Sequence, residues 1–295
     1  MALADRRVLG AAGSELMEER RGGGTILLLP LSVVLLAFFL FPVFTMIVYS
    51  FQSFDPAGAK GFTVDNYARL VKDVYVFRVV IQTVVVSVAV TFLTILLGYP
   101  YTLFLSRGAG SAKSVFLFIL IAPLLVGIVV RSFGWLVILG SNGLIASVLR
   151  SLGVSPPHLL FNRTGVTIGL THVLLPFMVL SLASVLEGLD PQLEEAAAVL
   201  GANSWRVFRD VTWPLSLNGV LTGSILVFVL SIGSFVTVML LGGGERTMVL
   251  SLLLYQQIST QGNWNAASAI GMVLMTIAVL AVYAQMKLVQ PRRAR

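Results

Sequence analysis

The chain has 295 residues, 57% hydrophobic and 11% charged, and a mean hydropathy of +0.93, a composition that excludes a soluble globular domain and requires several membrane crossings. Its formal charge of +7 does not point to nucleic acid, because the basic residues flank apolar runs in ones and twos and so face anionic lipid headgroups. With no cysteine there is no disulfide framework, thiolate metal site or cysteine nucleophile.

Residues 1–25 mix Arg6, Arg7, Arg20 and Arg21 with Glu15, Glu18, Glu19 and a glycine run, Gly22 to Gly24, and are expected to form a mobile tail; Met17 is an alternative start. Ile26–Phe51 is too long for a secretory signal and lacks a small-residue cleavage site, so it reads as a first transmembrane helix despite Pro30 and Pro42. An uncharged run of about 20 residues crosses the hydrocarbon core. Five more follow: Val79–Leu105, Val115–Leu139, Thr164–Leu186, Leu215–Leu241 and Ala266–Val289. The expectation is an all-α polytopic protein with a transmembrane domain over 26–289 and a short tail over 290–295.

Six spans put both termini on one side, together with Arg107, Lys113, Arg206, Arg209, Lys287, Arg292, Arg293 and Arg295. Lys60, Arg69, Lys72, Arg78, Arg150, Arg163 and Arg246 fall opposite, in longer loops of less topological weight. The positive-inside rule therefore places both termini in the cytoplasm, and with them the polar region 187–214.

Between spans, Phe62–Leu70 and Gly143–Leu152 are either surface helices or plain loop packing. The loop 106–114 resembles a phosphate cradle, but Ala112 stands where glycine must precede the lysine and no strand leads in, so a tight turn is expected and no ATP site on this chain.

No catalytic set is visible. His158 and His172 have no partner at metal-ligand spacing, and His172 is expected to hydrogen-bond inside the bundle. None of the spans contains Asp or Glu, which argues against a proton relay or a sodium-coupled carboxylate site. Arg131 is the charge at membrane depth, either facing the bundle interior or snorkelling to the interface. The polar stripe Gln82, Thr83, Ser87, Thr91 and Thr94 reads as helix-packing glue. Ser231, Ser234 and Thr237, at helical spacing beside Gly233, are better pathway candidates, with Arg131 and Trp135.

The region 187–214 reads as two short helices. Asp190 caps the first, Pro191 suits its first position, Glu194 and Glu195 lie at its positive end and Gly201 ends it. Ser204 is expected to cap the second, through Trp205, Val207 and Phe208, and Pro214 opens the next apolar run. Leu193, Ala196, Ala197 and Leu200 share one face, whose small residues admit a close partner.

The order Glu195-Ala196-Ala197, three residues, Gly201, nine residues, Val211-Thr212-Trp213-Pro214 resembles the EAA signature of permease subunits of binding-protein-dependent ABC importers, with Trp213 in place of leucine. Asp65-Asn66-Tyr67, Leu97-Gly98-Tyr99-Pro100, Arg131-Ser132-Phe133-Gly134-Trp135 and Leu174-Leu175-Pro176-Phe177-Met178 resemble the spermidine/putrescine-type branch. The resemblance implies a type I importer permease fold in a bacterial inner membrane, not itself an enzyme. It implies coupling through Glu194, Glu195, Ala196, Ala197, Gly201, Trp205 and Pro214 to an ABC ATPase dimer that carries the ATP and Mg. A second permease, identical or paired, and a periplasmic binding protein complete the expected assembly. The implied solute is polyamine-like or a related organic molecule; the spans offer aromatic faces (Trp135, Tyr99, Tyr101, Phe228, Phe235) but no carboxylates, and Arg131 suits an anion equally. A stand-alone secondary transporter or channel is the alternative, and a membrane scaffold a third reading.

Overall fold

The computed structural model describes residues 30–53, 61–108, 110–242 and 244–289; the expected tails, Met17, the first residues of the Ile26–Phe51 span and Lys60 lie outside the described residues. The helices are α1 (Pro30–Ser50), α2 (Asp65–Lys72), α3 (Val74–Arg107), α4 (Lys113–Leu125), α5 (Ile128–Leu139), α6 (Leu144–Ser151) and α7 (Arg163–Leu186). They continue with α8 (Gln192–Val199), α9 (Ser204–Val207), α10 (Trp213–Gly233), α11 (Val236–Leu241), α12 (Leu250–Ser259) and α13 (Trp264–Val289). Among the described residues six stretches are long and apolar enough to cross a membrane: Pro30–Ser50, Val74–Arg107, Ile128–Ser151, Arg163–Leu186, Ser204–Gly233 and Trp264–Lys287. The all-α, six-span class is therefore as expected, and among the described residues β-pairing is confined to one isolated bridge, Gln52 to Phe62.

Two spans differ from the expectation of continuous helices. Val115–Leu139 is broken between α4 and α5, where Val126 (ψ 130°) and Gly127 (ψ 145°) are extended. Pro123 lies in the last turn of α4, but the helix runs through it to Leu125, so the proline does not by itself end it. Leu215–Leu241 is likewise interrupted after Gly233, with Ser234 extended (ψ 113°) before α11 begins. α12 was not foreseen at all, because its 10 residues are too few to register as a span.

The core is the packing of α3, α7 and α10, which bury Val86, Val90, Leu170, Leu174, Met178, Leu182, Val220 and Val227. Lipid is as apolar as leucine, so close backbone approach and interhelical hydrogen bonds must hold such a bundle. Gly219 and Gly223, one turn apart on α10, provide the approach: a side chain there would meet Val185 and Leu182, or Met178 and Ser181, on α7. The polar stripe of α3 provides bonds. The Thr83 hydroxyl donates to the Val79 carbonyl and accepts the Leu250 N–H at the start of α12, while Thr91 donates to the Ser87 carbonyl. Thr83 and Gln82 thus bond α3 to other elements, whereas Thr91 and Thr94 bond within α3. α1 buries none of its hydrophobic window inside the chain.

Candidate functional site

At one end of the bundle α8 is set by its own sequence. The Asp190 carboxylate accepts the Gln192 N–H (2.9 Å), so Asp190 closes the helix start; Pro191 stands just before the first helical residue. At the other end Gly201 takes φ +86°, its N–H reaches the Ala198 carbonyl (3.0 Å) and the Ala202 N–H reaches Ala197 (3.1 Å), the paired bonds of a Schellman stop. Between these caps Glu195, Ala196 and Leu193 are exposed, and Val199 and Leu200 are 87% and 88% exposed. Ala197 is half-buried, so the outward face is Leu193, Ala196 and Leu200, extended by Val199 and flanked by Glu195.

Glu194 points the other way. Its carboxylate is ion-paired with Arg107 at the end of α3 and accepts a hydrogen bond from the Thr212 hydroxyl. Arg107 also donates to the Thr212 hydroxyl oxygen (3.4 Å). Lys113, at the start of α4, pairs with Glu187 at the end of α7 (2.8 Å). A cavity of about 420 Å³ lies under α8, lined by Leu103, Arg107, Glu194, Glu195, Phe208 and Thr212 among others. The sequence read Arg107 only as a topological charge and Thr212 only as a spacer; they lie 87 and 18 residues from Glu194 along the chain, with no local signal for the former.

The second short helix is not separate. Asn203, not Ser204, caps it, its side-chain oxygen accepting the Arg206 N–H (2.9 Å) because Asn203 is the residue with extended backbone (ψ 166°). From Ser204 the chain then runs without a break through a π turn, Phe208–Thr212, into α10. Pro214 sits just after that turn and lacks the N–H that a regular helix would offer to the Asp210 carbonyl. Trp205 is 65% exposed and stacks on Phe208 (5.5 Å), Phe208 meets Tyr99 edge-on (5.8 Å), and the Tyr99 hydroxyl bonds that of Ser216 (2.8 Å). Aromatic contacts thus connect the exposed α9 to the membrane-buried α3.

Deeper in the bundle, Arg131 donates from Nη2 to the Val126 carbonyl at the α4–α5 break (2.9 Å). Its Nε and Nη1 are buried without a partner among the described residues. Trp135, one turn along α5, donates from Nε1 to His172 Nδ1 (3.0 Å), so His172 does bond inside the bundle as expected. Ser132 and Thr237 share a hydrogen bond (3.1 Å) between α5 and α11. Ser231, Ser234 and Thr237 do not form the single stripe their spacing suggests, because the helix ends between Ser231 and Thr237. Ser231 is buried with its hydroxyl unpartnered among the described residues, and Ser234 bonds back to the Leu230 carbonyl.

At the end of the bundle opposite α8 lies a larger cavity, about 630 Å³, bordered by Arg78 and Gln82 of α3, Arg163 of α7, and Glu245 and Arg246 before α12. The buried Gln82 amide donates to the Arg246 carbonyl; Arg163 donates to the same carbonyl (3.2 Å) and to the Gln82 side-chain oxygen (3.1 Å). These bonds draw together the two core helices and the loop after α11.

Comparison with known proteins gives one family. Residues 19–295 match the family described as binding-protein-dependent transport system inner membrane component. The spermidine/putrescine transport system permease protein PotB of Haemophilus influenzae is 32% identical over 261 residues, 86% of this chain and 91% of that protein. PotB of Escherichia coli is 32% identical over 255 residues, 84% of this chain and 92% of that one. The molybdenum transport system permease protein ModB of Mycobacterium bovis is 34% identical over 198 residues, covering 66% and 73%. Among solved structures, a chain of a bacterial alginate ABC transporter in complex with an alginate pentasaccharide-bound periplasmic protein superposes with TM-score 0.71 at 19% identity, covering 91% of this chain and 94% of that one. A chain of the inward-facing MetNI methionine ABC transporter gives 0.56 at 18% identity, covering 74% and 95%. At such identities the structural likeness carries the fold alone.

Proposed function

Because the chain belongs to the family of binding-protein-dependent transport system inner membrane components, we propose that α8 is the element through which an external ATPase drives it. The chain is a multi-pass inner-membrane permease subunit of an ABC importer and not itself an enzyme. Permeases of this kind work with an ATPase, a second permease and a binding protein. In our reading the α8 end faces the cytoplasm, in line with the positive-inside distribution of Arg107, Lys113, Arg206 and Arg209. The 630 Å³ cavity then faces the binding protein.

The observation that carries the proposal is the outward face of α8. A helix of 8 residues, closed by Asp190 before it and Gly201 after it, leaves Leu193, Ala196, Val199 and Leu200 exposed among the described residues, with Glu195 beside them. An exposed apolar face rimmed by charge is what a groove on another protein binds. Glu195, Ala196, Ala197, Gly201 and Trp205 form or support this contact; Glu194 and Pro214 act behind it. ATP and Mg reside on the partner ATPases. The solute is a small organic molecule, polyamine-like or related, and its path runs past Arg131, Trp135, Ser231, Ser234 and Thr237.

The test is reconstitution of the permease with its co-purifying ATPase in liposomes. ATP hydrolysis stimulated by the loaded binding protein, and solute entry that requires ATP, support the proposal. Solute carried by this chain alone without ATP would instead make it a stand-alone carrier.

A further inference from the structure

The cavity at the end opposite α8 has a charge balance that the importer reading does not explain. Its lining holds three guanidinium groups, Arg78, Arg163 and Arg246, against the single carboxylate of Glu245. Among the described residues none of these four is ion-paired; the ion pairs are Arg107–Glu194, Lys113–Glu187 and Arg209–Asp210. Arg163 is held in place by its bonds to the Gln82 side chain and the Arg246 carbonyl, and Gln82 is itself 3% exposed. That arrangement fixes one guanidinium at the cavity wall while leaving the side chains of Arg78 and Arg246 without a protein partner among the described residues. A concave site of about 630 Å³ is of small-molecule size. Inside a cleft with low-dielectric walls, three like charges focus their field and raise the local concentration of anions. Guanidinium groups also bind carboxylate and phosphate oxygens through paired, charge-assisted hydrogen bonds.

A second region is consistent in sign. None of the 13 Asp and Glu residues lies in α3, α5, α7, α10, α11 or α13, and the charge at depth, Arg131, keeps two buried nitrogens unpartnered. A solute bearing only ammonium groups would meet repulsion at both places.

We propose that the cavity is an anion-binding vestibule and that the imported solute is one of the related organic molecules and not a simple polyamine, carrying a carboxylate, phosphate or phosphonate group. The assignment of that group to the solute rests on the importer reading, with this end outward.

The absence of cysteine makes the test direct. Thr164→Cys places a unique thiol on the cavity lining, and Ser155→Cys, in the exposed segment before α7, serves as the reference. Each full-length variant is reconstituted in nanodiscs of zwitterionic phosphatidylcholine and modified with an anionic or a cationic methanethiosulfonate. The anionic-to-cationic rate ratio is expected to be about tenfold higher at position 164 than at position 155. It falls to the reference value in Arg78→Gln/Arg246→Gln and rises in Glu245→Gln, a conservative change that keeps the test open if the double variant fails to fold. Succinate or methylphosphonate slows modification at position 164, and putrescine does not. Equal ratios at the two positions overturn the proposal. So does protection by putrescine alone, or protection that appears only when anionic lipid is added or only with the binding protein. Stimulation of ATP hydrolysis by the loaded binding protein is measured in parallel on the reconstituted assembly. If stimulation persists while the rate ratio is flat, the vestibule fails and the importer reading stands; if the ratio is high but no binding protein stimulates hydrolysis, the importer reading falls and the solute assignment with it.

Discussion

Arg107, the last residue of α3, is ion-paired with Glu194 of α8, and the same carboxylate accepts the hydroxyl of Thr212 at the end of the π turn. One side chain thus ties the proposed docking helix to the start of α10 and to a core helix that runs to the opposite cavity. Removal of Glu194 should loosen both ties. The pair is part-exposed, with side-chain exposures of 35% and 22%, so its worth to stability is about 1 kcal/mol or less. Glu194→Ala and Arg107→Ala should therefore leave the subunit folded and assembled but lower the transport obtained per ATP hydrolysed. The charge-swapped pair Glu194→Arg with Arg107→Glu should recover part of that ratio. No recovery, together with normal coupling in the single variants, would remove Arg107 from the transmission path.

Glu195, the neighbour of Glu194, is predicted to behave differently. It is exposed, and its side chain makes no hydrogen bond or ion pair among the described residues. Glu195→Ala should leave the melting temperature of the isolated permease unchanged and weaken retention of the ATPase during affinity purification. Its loss is then in binding, whereas that of Glu194→Ala is in coupling. Equal effects of the two substitutions on ATPase retention would contradict the division of labour drawn from their different partners, Arg107 and Thr212 for Glu194 and none for the Glu195 side chain among the described residues.

The two glutamates also mark how far the sequence could be read. Hydropathy found six apolar runs that overlap the six candidate spans, because such a run is a property local in sequence, although the third shifts from Val115–Leu139 to Ile128–Ser151 and the fifth from Leu215–Leu241 to Ser204–Gly233. Gly201 was legible for the same reason: a helix stop is set within a few residues. The breaks after Leu125 and Gly233 were not. Proline and glycine occur inside other helices here, such as Pro100 in α3 and Pro176 in α7, without ending them, so what decides is tertiary packing. Ser234 illustrates this: its carbonyl, freed by the break, accepts the hydroxyl of Ser251 on α12 (3.0 Å). The inward turn of Glu194 depends on Arg107, which no sequence periodicity connects to it.

Gly201 yields a graded prediction. A Cβ there would meet nothing within 4 Å, so the cost of substitution is the backbone conformation at φ +86° and not crowding. A left-handed conformation costs an L-residue about 1–2 kcal/mol, less for asparagine and more for a β-branched side chain. ATPase retention should fall in the order Gly201→Asn, Gly201→Ala, Gly201→Val. If alanine and valine are both tolerated like asparagine, the Schellman stop does not position the docking face.

Gly165 and Gly223 should separate hard from soft obstacles. A Cβ on Gly165 would be driven into the backbone carbonyl oxygen of Leu159, beside the Asn162 cap of α7, whereas a Cβ on Gly223 would lie 2.7 Å from the Met178 sulfur. A thioether at the end of a flexible side chain can move aside; a carbonyl in a capped turn cannot without shifting the loop that carries Phe161 and Asn162. Overpacking typically costs about 1–3 kcal/mol. Gly165→Ala should sit at the upper end and lower the thermal stability of the purified permease more than Gly223→Ala. It should also alter thiol reactivity at position 164, which Gly223→Ala leaves unchanged.

The bond between Ser132 and Thr237 joins the two broken spans through α5 and α11, each separated from the helix before it by extended backbone. Hydrogen bonds between membrane helices contribute about 0.6 kcal/mol on average and up to about 1.7 kcal/mol. A double-mutant cycle on Ser132→Ala and Thr237→Val, read by denaturant unfolding in lipid, should give a coupling energy in that range, because both hydroxyls are buried. If the two half-helices move together during transport, each single variant should also reduce the binding-protein stimulation of ATP hydrolysis while leaving the basal rate unchanged. Additive unfolding energies with unaltered stimulation would show that the contact is a feature of packing and not a joint between moving parts.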